Sequence, residues 1–268
     1  MPSAADTSPP LAESSYKPDQ VLHTSVNVTA ISQHNNWDTR ECAVSNVDQW
    51  RQLLFTYTKT TSTKIPRILH QIWIGDREPP CVWIDTWRIN YIQGIGKDEG
   101  WQHILWDNDR VSKLQMYNQD LFDHETMWQC KADILRLELL WQYGGVYIDS
   151  DVISMQKSLE SVIQKTEETQ TGFAITYEPD TKDKPYSVLG NSVIVASPKH
   201  PLVAMLIQYI KTIYHHKRPF FSAEWVTGPL TYTKVLLHTG LNFYIPPNKL
   251  FYPGKPSNLS SFIWTVFR

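Results

Sequence analysis

"ADILRLELLWQYGGVYIDSDV", residues 132–152, holds the transition on which the fold turns. Its first half is apolar at nearly every helical position, and Gly144 and Gly145 then stop the helix with the residue type that tolerates left-handed backbone. The "VYID" that follows is β-branched and aromatic, the signature of a short buried strand. That strand runs into Asp149 and Asp151. On an extended chain, residues i and i+2 project to one face, so the two carboxylates are expected to point together while Ser150 points away. Carboxylates held that close repel and raise each other's pKa unless a cation lies between them. Oxygen-only ligands suit Mg2+ or Mn2+ and leave positions open for water and phosphate oxygens, so the pair implies a metal diphosphate. A solvated acidic loop is the competing reading; the strand-end position, where α/β sheets bind ligands, favours a site.

The helix before the glycines carries Asp133 and Arg136 at i and i+3, together with Glu138, although it is otherwise apolar almost all round. Buried charges need partners. The pair serves either as an internal ion pair that fastens the helix or as a set of charged groups that bind sugar hydroxyls; Glu138 reads as structural.

Working outward, "IPRILHQIWIG" (65–75) and "WQHILWDND" read as strands, and "VWIDTWRINYI" as a helix with Trp83, Trp87 and Tyr91 on one stripe. "GFAITY" and "NSVIVAS" are further strands, and "HPLVAMLIQYIKTIYHH" and "GPLTYTKVLLHTG" further helices. The alternation predicts an α/β fold, a mostly parallel sheet with helices on both faces that binds ligands beyond its carboxyl ends. Residues 46–57 carry a helical stripe behind Asn46, and residues 46–268 read as one domain. Residues 1–45, rich in Ser, Thr, Pro and Asn, read as an irregular arm.

With 25 Lys and Arg against 27 Asp and Glu, the formal charge is −2, so no global basic field recruits nucleic acid. Cys42, Cys81 and Cys130 are odd in number and far apart, which argues against a disulfide framework or zinc knuckle and for a reducing compartment. No stretch approaches the ~18 apolar residues of a membrane span. The sequons at Asn27 and Asn258 pull weakly toward secretion. "GIGKDEG" lacks the third glycine of a dinucleotide fingerprint and reads as a turn. His215, His216, Lys217 and Arg218 read as dipole partners at a helix C-terminus.

Taken in order, "IPRILHQIWIG", the 132–152 stretch, "NSVIVASPKHP" and "TGPL" resemble the D-x-D glycosyltransferases of family 32. That family includes fungal α-mannosyltransferases and, more distantly, the glucosylating domains of clostridial toxins. The resemblance implies a GT-A (Rossmann-like) nucleotide-sugar-binding fold and a metal-dependent (Mn2+ or Mg2+) retaining transfer of a hexose. The donor would be GDP-mannose or a UDP-hexose and the acceptor a hydroxyl of a glycan, lipid, protein or small metabolite. Asp149 would contact the donor ribose or a metal-bound water, and Asp151 would bind the metal. Asp133, Arg136 and Asn191 would hold the donor sugar. Trp73 would stack on the base, with a core tryptophan as the alternative. Thr227, Gly228 and Pro229 would line the diphosphate, with a helix start as the equal explanation. The tail departs from the family pattern: "YPGKPSNLSSFIWTVFR" offers Trp264 but no histidine. This departure motivates a second reading, a non-catalytic nucleotide-sugar or carbohydrate binding protein on the same fold. Relatives are often Golgi-anchored; with no anchor visible in this sequence, the expectation is a soluble cytoplasmic enzyme.

Overall fold

The computed structural model describes residues 21–22, 62–155, 158–178, 188–218, 221–247 and 250–252. The expected helix over 46–57, both sequons and Trp264 lie outside them. In chain order the described elements begin with strands β1 (Val21–Leu22) and β2 (Ile68–Ile72). Helix α1 (Cys81–Asp85) then widens into π-helical turns over Thr86–Ile95. Strand β3 (Gln102–Trp106) leads to the short helices α2 (Asn108–Val111) and α3 (Gln119–His124). The long helix α4 (Trp128–Tyr143) feeds β4 (Gly145–Ile148), and α5 (Glu160–Glu168) precedes β5 (Phe173–Tyr177) and β6 (Leu189–Ala196). Helices α6 (Pro201–Lys217), α7 (Ala223–Val226) and α8 (Pro229–His238) and strand β7 (Phe243–Tyr244) complete the set.

The strands form one sheet in the order β1-β7-β5-β6-β4-β2-β3. Strands β3, β2 and β4 pair in parallel, β6 runs antiparallel to both β4 and β5, and β7 is parallel to β5. The short β1 joins the β7 edge antiparallel, so part of the expected arm lies on the sheet. Most strands thus share one direction, as the alternation predicts, with β6 and β1 reversed. Tyr177 and Leu189 are too close in sequence for the dozen or more residues that a parallel crossover takes, which is why β6 returns antiparallel.

Side-chain alternation sends neighbouring residues to opposite faces. Tyr147 and Ile194 join a core with Leu135 and Leu139 of α4, Leu206 of α6 and Tyr232 of α8. Val146, Ile148, Val193 and Val195 face the other way, against Trp87, Tyr91 and Val162. Helices therefore cover both faces, as expected.

The glycine pair has a steric cause. A Cβ on Gly145, at φ +97°, would stand 2.4 Å from the Ile68 carbonyl of β2, and one on Gly144 would stand 2.6 Å from Pro198. Only glycine lets the α4 to β4 corner pass this close to its neighbours. His70 secures the same corner: its Nε2 donates to the Gly144 carbonyl at 2.8 Å while its Nδ1 accepts from Trp106 Nε1 at 3.0 Å. Burial lowers its pKa to about 4, so the ring is neutral at physiological pH.

Candidate active site

The parallel strands end at one edge of the sheet, and α4 delivers charge there. Asp133 and Arg136 are both buried, and Arg136 Nη2 lies 2.8 Å from Asp133 Oδ1. The second Asp133 oxygen accepts from Thr227 Oγ1 at 2.8 Å, and Asn191 Nδ2 donates to Oδ1 at 2.9 Å. Asp133, Arg136, Asn191 and Thr227 thus come from α4, β6 and the α7 to α8 junction to form one buried network. Because β6 runs against its neighbours, its early residues Asn191 and Ser192 fall at the carboxyl ends of the others.

The D-x-D geometry corrects the expectation of two carboxylates side by side on a strand. β4 ends at Ile148, and Val152 N donates to the Asp149 carbonyl at 3.1 Å, closing a turn. Asp149 keeps the strand parity of Tyr147 and turns inward, where Oδ1 accepts from Arg136 Nη1 at 3.0 Å and from Tyr147 Oη at 2.7 Å. Ser150 is buried on the opposite side and donates to the Ile72 carbonyl at 2.7 Å. Asp151 remains at the surface. The pair is therefore unequal, with one carboxylate anchored and the other open.

The electrostatics follow from burial and neighbours. Desolvation raises Asp133 to about 6 even against Arg136 and the Thr227 hydroxyl. Asp151 also rises to about 6, first because the surrounding protein displaces water and then because Asp149 is close. Burial would lower the Arg136 guanidinium, but Asp149, Tyr147 and Asp133 more than offset it, so it is a fixed cation. Arg136 also stacks 4.5 Å over the Tyr147 ring and donates to the Asn191 carbonyl. Arg136 Nε and Tyr232 Oη are buried without a hydrogen-bond partner.

The remaining predicted residues spread out. Trp73 is half-buried past the end of β2, with Nε1 donating to the Arg77 carbonyl at 2.7 Å, so it is not a core tryptophan. Gly228 and Pro229 open α8, the helix-start alternative; a Cβ on Gly228 would meet the Glu224 backbone at 2.9 Å. Glu138 is structural as expected, accepting from Tyr117 N and Asn118 N at 3.0 and 2.9 Å. Arg218 is more than a dipole partner: its Nε lies 2.7 Å from the buried Glu125 carboxylate. Three residues escaped sequence reasoning. Tyr147 could have been found as the aromatic two residues before Asp149 on the same face, whereas nothing local signals Ser192 and Tyr252, whose hydroxyls hydrogen-bond to each other. Ser192 matters because its carbonyl receives Asp149 N at 2.9 Å.

A two-carboxylate turn on a surface fits a hard divalent cation completed by water and diphosphate oxygens. Among the described residues there is no group of three or more His, Cys, Asp or Glu side chains that forms a self-sufficient cage.

The buried charged network and the unequal D-x-D turn thus lie together at the carboxyl edge of the α/β sheet. Residues 84–169 match the family model described as "Glycosyltransferase sugar-binding region containing DXD motif". Inositol phosphoceramide mannosyltransferase 1 of Schizosaccharomyces pombe is 32% identical over 173 residues, 62% of this chain and 50% of that protein. "Uncharacterized glycosyltransferase L373" of Acanthamoeba polyphaga mimivirus is 27% identical over 143 residues, 52% of each chain. Mannosyl phosphorylinositol ceramide synthase SUR1 of Saccharomyces cerevisiae is 23% identical over 192 residues, 69% of this chain and 44% of that protein. The chain carries a DXD-containing glycosyltransferase sugar-binding region and is homologous to these yeast mannosyltransferases; it spans about half the length of the curated relatives it matches.

These relatives correct one expectation. The two yeast proteins are named for inositol phosphoceramide and its mannosylated form, and a ceramide anchor keeps such a molecule in a bilayer. The soluble cytoplasmic assignment is withdrawn on that ground. Among the described residues no helix is long and apolar enough to cross a membrane.

Proposed function

We propose that this chain is a metal-dependent retaining glycosyltransferase that moves a hexose from a nucleotide diphosphate sugar to a hydroxyl acceptor. Mannose from GDP-mannose is the first choice because the yeast relatives are named for mannosyl transfer, with a UDP-hexose second. The proposed acceptor is the headgroup of an inositol phosphoceramide, on the same ground. Residues 46–268 would form the catalytic domain, with 1–45 as its arm.

The observation that supports this reading is the buried network in which Arg136, Asn191 and Thr227 meet on Asp133, with Arg136 linking it to the anchored Asp149. Asp151 and Asp149 would hold Mn2+ or Mg2+, which when bound neutralises charge developing on the leaving diphosphate. Arg136 and Tyr147 hold Asp149 in place, and Trp73 offers a half-buried ring to the base. Asp133, Arg136 and Asn191 would hold the sugar hydroxyls. Both Asp133 oxygens already accept hydrogen bonds, which leaves that carboxylate poorly placed as a nucleophile. This favours acceptor attack on the face the diphosphate leaves over a covalent sugar intermediate.

The test is thermal unfolding of wild type and Asp151→Ala with GDP, UDP and their sugar conjugates, with and without Mn2+, followed by turnover with the donor selected. A Mn2+-dependent rise for one base, absent in the variant, is expected, because a ligand bound only by the folded state stabilises it. Undiminished transfer by Asp151→Ala at limiting Mn2+ would refute the metal assignment, and no shift with any nucleotide would refute the donor site.

A further inference from the structure

Asp151 is bracketed by fixed backbone. On its N-terminal side Asp149 N donates to the Ser192 carbonyl at 2.9 Å, and Ser150 Oγ donates to the Ile72 carbonyl at 2.7 Å. On its C-terminal side the partners come from one element, the π-helical turns over Thr86–Ile95. Trp87 Nε1 donates to the Val152 carbonyl at 2.7 Å, and Thr86 Oγ1 accepts from Ser154 N at 2.9 Å. Farther on, Tyr91 Oη accepts from Leu159 N at 3.0 Å.

These contacts are directional. An indole N–H is a donor only, so Trp87 can hold nothing but an acceptor such as the Val152 carbonyl. Thr86 donates its single proton to the Trp83 carbonyl at 2.6 Å, which leaves its lone pairs for the Ser154 amide. Trp87 and Tyr91 are themselves locked: both are buried with their rings 5.8 Å apart, and Tyr91 meets the Trp101 ring edge-on at 5.2 Å. A packed wall thus presents one donor and one acceptor to backbone groups two residues apart, beginning at the residue after Asp151.

The arrangement exceeds what burial requires. Packing of Trp87 and Tyr91 with Val146 and Ile148 already secures this face of the sheet, whereas the polar bonds reach past it to the loop. Helical turns of the wide π type recur at functional sites, and here they begin at Thr86 itself.

We propose that Thr86 and Trp87 are positioning residues for the D-x-D turn, fixing the backbone after Asp151 so that its carboxylate is presented with that of Asp149 to a divalent cation. The inference rests on the proposed metal role of the two aspartates. A carboxylate on a fixed backbone has less freedom to lose when it takes up an ion, and groups that orient a ligand are worth about 10–100-fold in metal affinity. Both residues act through the backbone, with no ligand role of their own.

The test is Mn2+ titration of the full chain with and without GDP or UDP, reading free Mn2+ by electron paramagnetic resonance and measuring the metal-free thermal midpoint beside it. Trp87→Phe removes the indole donor and keeps an aromatic ring; Thr86→Val removes the hydroxyl at nearly constant shape, and Thr86→Ser keeps it. Trp87→Phe and Thr86→Val should each weaken Mn2+ binding roughly tenfold, while Thr86→Ser binds like wild type. Tyr91→Phe loses the Leu159 contact beyond the turn and should lower the midpoint without changing Mn2+ affinity. That split separates positioning from a general loss of stability. The inference is overturned if Trp87→Phe or Thr86→Val binds Mn2+ like wild type, if Thr86→Ser is as weak as Thr86→Val, or if Tyr91→Phe weakens Mn2+ equally. If Trp87→Phe does not fold, the Thr86 pair decides. A wild type that retains no Mn2+ with either nucleotide would instead refute the metal reading itself, a failure visible before any variant is made.

Discussion

Replacing Arg136 with Met keeps most of the buried stem and removes the charge, leaving Asp133 in the interior with only neutral partners. The cost depends on pH. In wild type the Asp133 carboxyl sits at about 6, above its ordinary 3.8, so it lowers stability progressively as pH rises from 3.8 to about 6. Without Arg136 the carboxyl rises further and must stay protonated in the fold. At about 1.4 kcal/mol per unit, holding that proton at about pH 8 costs close to 6 kcal/mol relative to the unfolded chain. Wild type already gives up about 3 kcal/mol, so the charge component of the substitution is about 3 kcal/mol at about pH 8 and near zero at about pH 5. Lost hydrogen bonds to Asp149 and the Asn191 carbonyl add about 1–2 kcal/mol at either pH. Urea unfolding of Arg136→Met at the two pH values measures the difference, and adding Asp133→Asn should remove the pH-dependent part. Equal destabilisation at both pH values would refute the account of Asp133 as the group that Arg136 compensates.

Two further outcomes follow from geometry. Gly145→Ala should be destabilising by several kcal/mol, about 3 or more, because a new Cβ meets the Ile68 carbonyl at 2.4 Å where the backbone is at positive φ; a thermal midpoint within a few degrees of wild type would contradict this. The buried Glu125 carboxylate is opposed by desolvation but held at about 2 by Arg218, Tyr214 and the Met127 and Thr126 amides. Its contribution, at most about 3 kcal/mol, should be present above its ordinary 4.5 and lost as pH falls toward 2. Acid titration of stability should therefore be flatter in Glu125→Gln over that window, and an unchanged slope would count against it.

The part of the fold legible in the sequence is the part written in local pattern. Periodicity located α4, the glycine pair marked its end, and β-branched runs located β2, β4, β5 and β6 because burial on both faces leaves no other composition. The site was legible where charge interrupts such a pattern, at Asp133, Arg136 and Asp149. The turn that separates Asp151 from Asp149 was not, since it depends on Val152 N reaching back to the Asp149 carbonyl rather than on to a strand. The widening of the helix after Asp85 was hidden for a related reason: Gly96 N bonds to the Tyr91 carbonyl five residues back, a choice made by packing rather than by residue type. The contacts of Tyr252 with Ser192 and of Arg218 with Glu125 join segments far apart in sequence, and no local rule pairs them.

The buried network also sets an order of events on the ribosome. Arg136 emerges with Asp133, but Asn191 follows 58 residues later and Thr227 follows 94 residues after Asp133. At usual synthesis rates of about 5–20 residues per second, the nascent chain carries α4 for roughly 5–20 s before the hydroxyl that completes the Asp133 shell exists. During that interval the half-made core has a paired charge with open valences at its centre, which leaves the candidate site among the last regions to become native.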